Sequence, residues 1–258
     1  MKKPSLKIGS IITTFNDIEY IRLSLRSVYP FVDYLSICEG SYLENQRAND
    51  VPPRSDDGTI DIIKEGIKKD KEKKIIFQQY NGESDREHRN KSLEALLEKG
   101  VDFVIINDTD ELIPPNLWDL IYHYITLPGK DCYYFKSQTF VNSPFEYCWQ
   151  SFPRLFRVKP GMQFVGDNYI SYTSESWNEI RKGKIDLIPY YHFAFCKGSE
   201  RFTQKKLWWE SRFGKEANFH YDWNLEGDNI IPENHKIFKW DRLPKWLEQE
   251  LRKDGKIK

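Results

Sequence analysis

Two acidic side chains one residue apart, Asp108 and Asp110, end the run Val101-Asp-Phe-Val-Ile-Ile-Asn107, and Glu111 follows directly. Carboxylates gathered at one point repel each other unless a cation joins them, and hard divalent ions prefer oxygen ligands. The chemistry such a cluster would support is the binding of a hard divalent cation. A second reading is an acidic turn ahead of a helix, because Pro114 and Pro115 follow closely and acids suit helix starts. From these residues alone both readings stand.

The elements that must position the acids follow from the hydrophobic pattern. Val101–Asn107 is short and rich in Val, Ile and Phe, which predicts a strand buried on both faces. Its acids then sit at the carboxyl end of a central strand, where open α/β sheets place their ligands. Upstream, Lys7–Thr14, Tyr34–Cys38 and Lys74–Gln79 are strand candidates. Between them, Ile18, Ile21, Leu25 and Val28 keep helical spacing until Pro30, and Asp57-Gly-Thr59 opens a helix to Lys68. Ser84 and Glu87 are spaced as a capping box for a helix to Lys99, and Tyr42–Asp57 reads as a long surface loop. Strands alternating with helices predict parallel pairing with right-handed crossovers. Past Tyr124 the pattern turns to ring-rich strands at Asp131–Val141, Phe152–Val158 and Asp186–Phe195, then to helices from Gly198 and over Pro244–Leu251. The expected organisation is one continuous domain, with an alternating strand–helix half, 1–125, that holds the common ligand and a ring-rich half, 126–258, that chooses the partner substrate.

Among the 258 residues, Lys plus Arg and Asp plus Glu number 39 each, so no global field recruits nucleic acid or an anionic membrane. No apolar stretch approaches the roughly 20 residues of a spanning helix, and no cleaved leader is expected. Cys38, Cys132, Cys148 and Cys196 lack any CxxC spacing. Cys132 and Cys148 could face each other across a hairpin, but reduced thiols in a cytoplasmic protein are the expectation.

Five segments in order resemble the GT-A glycosyltransferases, family 2 in particular. Ile11-Ile-Thr-Thr-Phe-Asn-Asp17 is similar to the strand and loop that embrace the nucleotide base, and Tyr20–Val28 to the helix after it. Ser55-Asp-Asp-Gly-Thr59 resembles a Ser-x-Asp-Gly-Thr turn, Arg89-Asn-Lys-Ser-Leu93 an Arg-Asn helix, and Asn107-Asp-Thr-Asp-Glu-Leu112 the DxD motif. The resemblance covers Lys7 to Leu120 and implies a GT-A fold. It further implies a metal-dependent, inverting transfer of a sugar, of hexosyl type, from a nucleotide donor (a UDP-sugar first) to a hydroxyl on a glycan, lipid or protein. The expected cofactor is Mn²⁺ or Mg²⁺, which stabilises the departing diphosphate as a Lewis acid. Asp110 would ligate the metal, Asp108 would share it or approach the ribose, and His192 would complete the coordination. Thr13, Asn16, Glu39, Asp57 and Arg89 would contact the nucleotide. Glu39 stands where the family commonly has Asp, and the loop before Asp56 is extended.

Lys197, Arg201 and Lys205 are spaced to reach phosphate or to form an exposed helix face. An inverting transferase needs a carboxylate to take the acceptor proton. Asp167, in Phe164-Val-Gly-Asp-Asn168, and Glu175 are the candidates, with a plain Gly-Asp-Asn turn as the alternative for the former. Competing enzyme classes fit less well. A haloacid-dehalogenase phosphatase wants its Asp-x-Asp early and a Thr or Val where Leu112 stands, and a sugar nucleotidyltransferase wants a Gly-rich loop after the first strand. The non-enzyme alternative is a catalytically inactive scaffold that binds carbohydrate or nucleotide.

Overall fold

The computed structural model describes residues 5–196, 198–213, 223–226, 229–232 and 236–257. Its first half alternates β1 (Ile8–Thr14), α1 (Ile21–Val28), β2 (Tyr34–Glu39), α2 (Leu43–Asn49), α3 (Thr59–Lys69), β3 (Ile75–Gln79), α4 (Asp85–Leu97) and β4 (Phe103–Ile106). All residues of β1 and β4 are buried, as continuous apolar runs in a covered parallel sheet must be. β1 pairs in parallel with both β2 and β4, and β2 with β3. The carboxyl ends of these strands therefore open along one edge.

The chain continues through β5 (Glu111–Leu112), α5 (Pro115–Thr126), β6 (Cys132–Val141), β7 (Ser143–Arg157), β8 (Gln163–Phe164), β9 (Ile170–Ser171) and β10 (Lys182–Phe195). After it come α6 (Gly198–Phe213), β11 (Trp223–Glu226), β12 (Asn229–Pro232), β13 (Phe238–Lys239) and α7 (Lys245–Lys253). The main sheet has the order β3-β2-β1-β4-β7-β6-β10-β5, with β13 added beside β7. Antiparallel pairing of β7 with β4 carries the ring-rich strands onto the parallel sheet of the first half. The short strand β5 pairs antiparallel with β10 and sets Glu111 opposite His192. One apolar core packs α1, α3 and α5 on one face, where Trp118, Ile121, Phe103 and Leu155 are fully buried. A second core holds Leu93 and Leu96 of α4 against Val104, Phe156 and Phe164 on the other face.

Several local expectations change. The segment 42–57 contains α2, none of whose residues is buried, so it carried no apolar periodicity to announce it. Ser84 does stand at the N-cap of α4, but its hydroxyl makes no capping bond; Glu87 instead accepts the Glu83 N–H at 2.9 Å. β7 starts at Ser143 and β10 at Lys182, both earlier than their apolar cores suggest. Cross-strand pairing between neighbours holds the polar residues of these strands extended. All four cysteines are free, and Cys132 lies opposite Phe156 while Cys148 lies opposite Thr139. No helix among the described residues is long and apolar enough to cross a membrane.

Candidate functional site

The carboxyl ends of β1, β2 and β4 border a cleft of about 170 Å³, lined among others by Thr13, Asp17, Tyr42, Asp110, Lys205 and Trp208. Each wall is built by a local device. After β1 the backbone turns at Asn16 in the left-handed region, φ 48°, a conformation that Asn tolerates better than most residues. The Asn16 side chain donates to Asp56 Oδ1 and accepts the Asp56 N–H, both at 3.0 Å, and its own N–H donates to Ser55 Oγ. Asp57 accepts the N–H groups of Ile18 and Thr59, each at 2.9 Å. Glu39 is fully buried and accepts the Ser55 N–H at 2.8 Å and the Gln79 amide at 3.0 Å. Asn16, Asp57 and Glu39, expected to touch the nucleotide, thus spend their polar atoms fastening the 55–59 turn to β1 and β2. Asp17 reaches the cleft while accepting the Thr109 hydroxyl at 2.5 Å.

Beside the cleft lies a chain of charges, buried except for Asp108. Arg89, from α4, donates to Asp85 Oδ2 at 2.6 Å, Asp108 Oδ1 at 2.9 Å and Asn168 Oδ1 at 3.2 Å. Arg154, from β7, donates to Asp108 Oδ2 at 3.1 Å, Asn168 Oδ1 at 2.6 Å and Glu111 Oε1. Asp85 also accepts the hydroxyls of Thr13 at 3.2 Å and Tyr42 at 2.8 Å, which ties the network to the cleft wall. Burial works to raise the pKa of Asp108, but Arg89 and Arg154 outweigh it and hold that carboxyl below its ordinary value. At Asp85 burial prevails over the pull of Arg89, and at Glu111 over that of Arg154, so both are pushed up. The guanidiniums are disfavoured by burial too, yet the surrounding carboxylates keep both firmly charged.

The two acids of the DxD pair have different partners. Asp108, its side chain 27% exposed, is held by two arginines, whereas Asp110 is more buried and lines the cleft. Asp110 Oδ1 lies 3.5 Å from His192 Nε2, and the Phe193 N–H donates to the Asp110 carbonyl at 2.8 Å, locking the β10 strand beside this acid. Two such donor atoms suit adjacent positions around a divalent ion, whose remaining positions substrate phosphates and water commonly fill. Among the described residues no group of three or more His, Cys, Asp or Glu is arranged to hold an ion. Asp110 and His192 fit two positions around such an ion, and the carboxylate of Asp108 is engaged by Arg89 and Arg154.

The base candidates also separate. Asp167 lies in the turn between β8 and β9 beside Asn168, and its charge is felt at Asp85. Glu175 pairs with Lys159 at 2.9 Å, and Lys159 follows Val158, whose N–H donates to the carbonyl of Asp102. That places Glu175 at the amino end of β4, the opposite end from Asp110. Lys197 and the side chain of Arg201 lie outside the described residues; the neighbouring Lys205 of α6 does line the cleft. Tyr147 and Trp149 pack in the core around Phe140 and α7, and Trp208 stands at the cleft with its ring 5.8 Å from that of Tyr42.

Asp85, Tyr42, Arg154 and Asn168 were assigned no role of their own from the sequence. Asp85 carried a usable signal, since it precedes Arg89 by four residues on one helix. Arg154 carried another, a charge inside the strand Phe152-Pro-Arg-Leu-Phe156 that must be paired if buried.

No protein-family model matches the chain, and no curated protein matches it by sequence. Among solved structures it is similar to S. aureus TarS 1-349, with 13% identity over 86% of this chain and 76% of that one, TM-score 0.50. The same fragment in complex with UDP gives 16% identity, coverage of 84% and 69%, and TM-score 0.49. A mannosyltransferase from Pyrobaculum calidifontis, in complex with GDP-Man and Mn²⁺, gives 11%, 83% and 65%, and TM-score 0.49. The chain has the GT-A glycosyltransferase fold. It spans 46% of the longer TarS chain.

Proposed function

We propose that this chain is a metal-dependent, inverting glycosyltransferase of hexosyl type that uses a nucleotide-sugar donor, a UDP-sugar first, and a hydroxyl acceptor. The observation that carries the reading is the pairing of Asp110 with His192 where a cleft meets the carboxyl ends of β1 and β4. Open α/β sheets bind their ligands at that edge. Asp110 and His192 would hold Mn²⁺ or Mg²⁺, which supplies Lewis-acid neutralisation of the diphosphate as the glycosidic bond breaks. Lys205 offers a positive charge to the same diphosphate from the α6 side of the cleft. Asp167 takes the acceptor hydroxyl proton as that oxygen attacks the anomeric carbon, and the bond pair leaves with the diphosphate. Arg89 and Arg154 act behind the reacting groups, holding Asp108 charged and fixed.

The test is a panel of nucleotide sugars with and without Mn²⁺, read first by thermal shift and then by donor hydrolysis or transfer. Stabilisation by UDP with Mn²⁺ and turnover of one donor support the reading. Binding with no turnover in any acceptor mixture would instead favour a scaffold that keeps the fold, and no shift with any nucleotide would count against both.

A further inference from the structure

The turn that carries Asp167 is pinned on both sides by adjacent residues of one helix. On its amino side the Phe164 N–H donates to Asn90 Oδ1 at 2.7 Å, and the Asn90 amide donates back to the Phe164 carbonyl at 3.0 Å. On its carboxyl side Asn168 Oδ1 accepts from Nη1 of both Arg89 and Arg154, at 3.2 and 2.6 Å. Between the pins the Val165 N–H donates to the Tyr169 carbonyl at 2.9 Å, closing a tight turn. Val165 and Tyr169, at the tip, are 45% and 46% exposed, and the Tyr169 ring lies 4.9 Å from that of Trp177. The pins themselves are rigid. Arg89 and Arg154 have side chains only 5% and 3% exposed, and each also holds one oxygen of Asp108. Arg89, Asp108, Arg154 and Asn168 thereby form a closed ring of hydrogen bonds, with Asp108 on one side and the Asp167 turn on the other.

We infer that Arg89-Asn90 is a socket for the 163–169 turn, and that Asn168 is the positioning residue that sets Asp167 against the end of β4. The inference rests on the proposed role of Asp167 as the base. Asn168 touches no reacting atom; it acts through the backbone of its neighbour. A neutral amide oxygen shared by two guanidiniums is an unusual choice for mere stability, because a carboxylate there would pair more strongly. Its use fits a contact that orients the turn by geometry, which a carboxylate oxygen at the same place would also supply.

Misplacing a catalytic group by about 1 Å can cost on the order of 100-fold in rate. The experiment measures Mn²⁺-dependent hydrolysis of whichever sugar nucleotide the panel shows to be turned over, in Asn168→Ala, Asn168→Asp, Asn90→Asp and Asp167→Asn. Asn168→Ala should lower kcat about tenfold or more with KM for the donor and UDP affinity unchanged within about twofold. Asn168→Asp, which still accepts both guanidinium N–H groups, should recover most of the rate. Asn90→Asp keeps the acceptor but loses the donor to Phe164, and should lower kcat in the same direction even where Asn168→Ala does not fold. Asp167→Asn should abolish turnover. If Asp167→Asn is inactive while Asn168→Ala and Asn90→Asp turn over normally, the socket is wrong and the base assignment stands. If Asp167→Asn remains active, the base assignment fails and takes the socket with it. A fall in Asn168→Ala that Asn168→Asp does not restore, or that appears equally in KM, would also overturn it.

Discussion

His88 offers a quantitative test of how the cleft wall is held. It is completely buried, and its Nε2 accepts the Gly82 N–H at 3.1 Å between the rings of Tyr42 and Tyr80. The 82–83 segment it holds caps α2, because Leu43 and Glu44 donate their N–H groups to the carbonyls of Gly82 and Glu83. Tyr42, the cleft residue, immediately precedes α2. Burial, reinforced by Arg54, lowers the His88 pKa from the ordinary 6.5 to about 4. A protonated imidazole would also turn its acceptor nitrogen into a donor facing another donor. The sign follows from proton counting. The unfolded chain takes up the proton as pH falls through 6.5 while the folded chain refuses it until about 4, so stability present above pH 6.5 is lost on acidification. Between pH 7.5 and 5 this one residue removes about 2 kcal/mol, or roughly 4–8 °C in Tm for a chain of this size. His88→Gln places an amide oxygen near the Nε2 position and has no proton to gain. Urea titrations of both proteins across that pH range should show the wild type losing about 2 kcal/mol more than the variant. Parallel pH dependences, or an imidazole resonance titrating near 6.5, would refute the reasoning.

Arg154→Met should destabilise the fold by about 3–5 kcal/mol, because it leaves Glu111 buried without its guanidinium; Glu111→Gln in the same chain should recover part of that loss in denaturant melts. Gly40→Ala should be destabilising by more than about 2 kcal/mol. Gly40 has φ 143°, and an added Cβ would collide with the Tyr80 carbonyl and the Arg54 side chain. A melt within about 1 °C of wild type would contradict the close approach of the two loops. Asp110→Ala should erase the thermal shift given by UDP with Mn²⁺ while leaving the unliganded Tm nearly unchanged, since this acid faces the cleft.

The parallel sheet was legible because β1 and β4 are short apolar runs that end in polar residues, a pattern that burial on two faces dictates. The acids at the end of β4 were legible for the same reason. What the sequence could not reveal was which way each acid turns. The partners of Asp108 are Arg89, 19 residues upstream, and Arg154, 46 downstream, and only the docking of α4 and β7 brings them together. The same long-range economy hid the work of Glu39, whose carboxylate holds Ser55 and Gln79 at separations of 16 and 40 residues. Its type and place suggested a nucleotide contact, while its complete burial assigns it to the loop. α2 escaped notice for the opposite reason, since a helix with no buried face leaves no periodicity in the sequence.

The most direct measurement is an anomalous-scattering map of a crystal grown with UDP and Mn²⁺. The account predicts one manganese peak about 2.0–2.4 Å from both Asp110 and His192 Nε2, with diphosphate oxygens on its far side and Asp108 still clasped by Arg89 and Arg154. A peak seated on Asp108, or well-ordered UDP with no manganese beside Asp110, would contradict it.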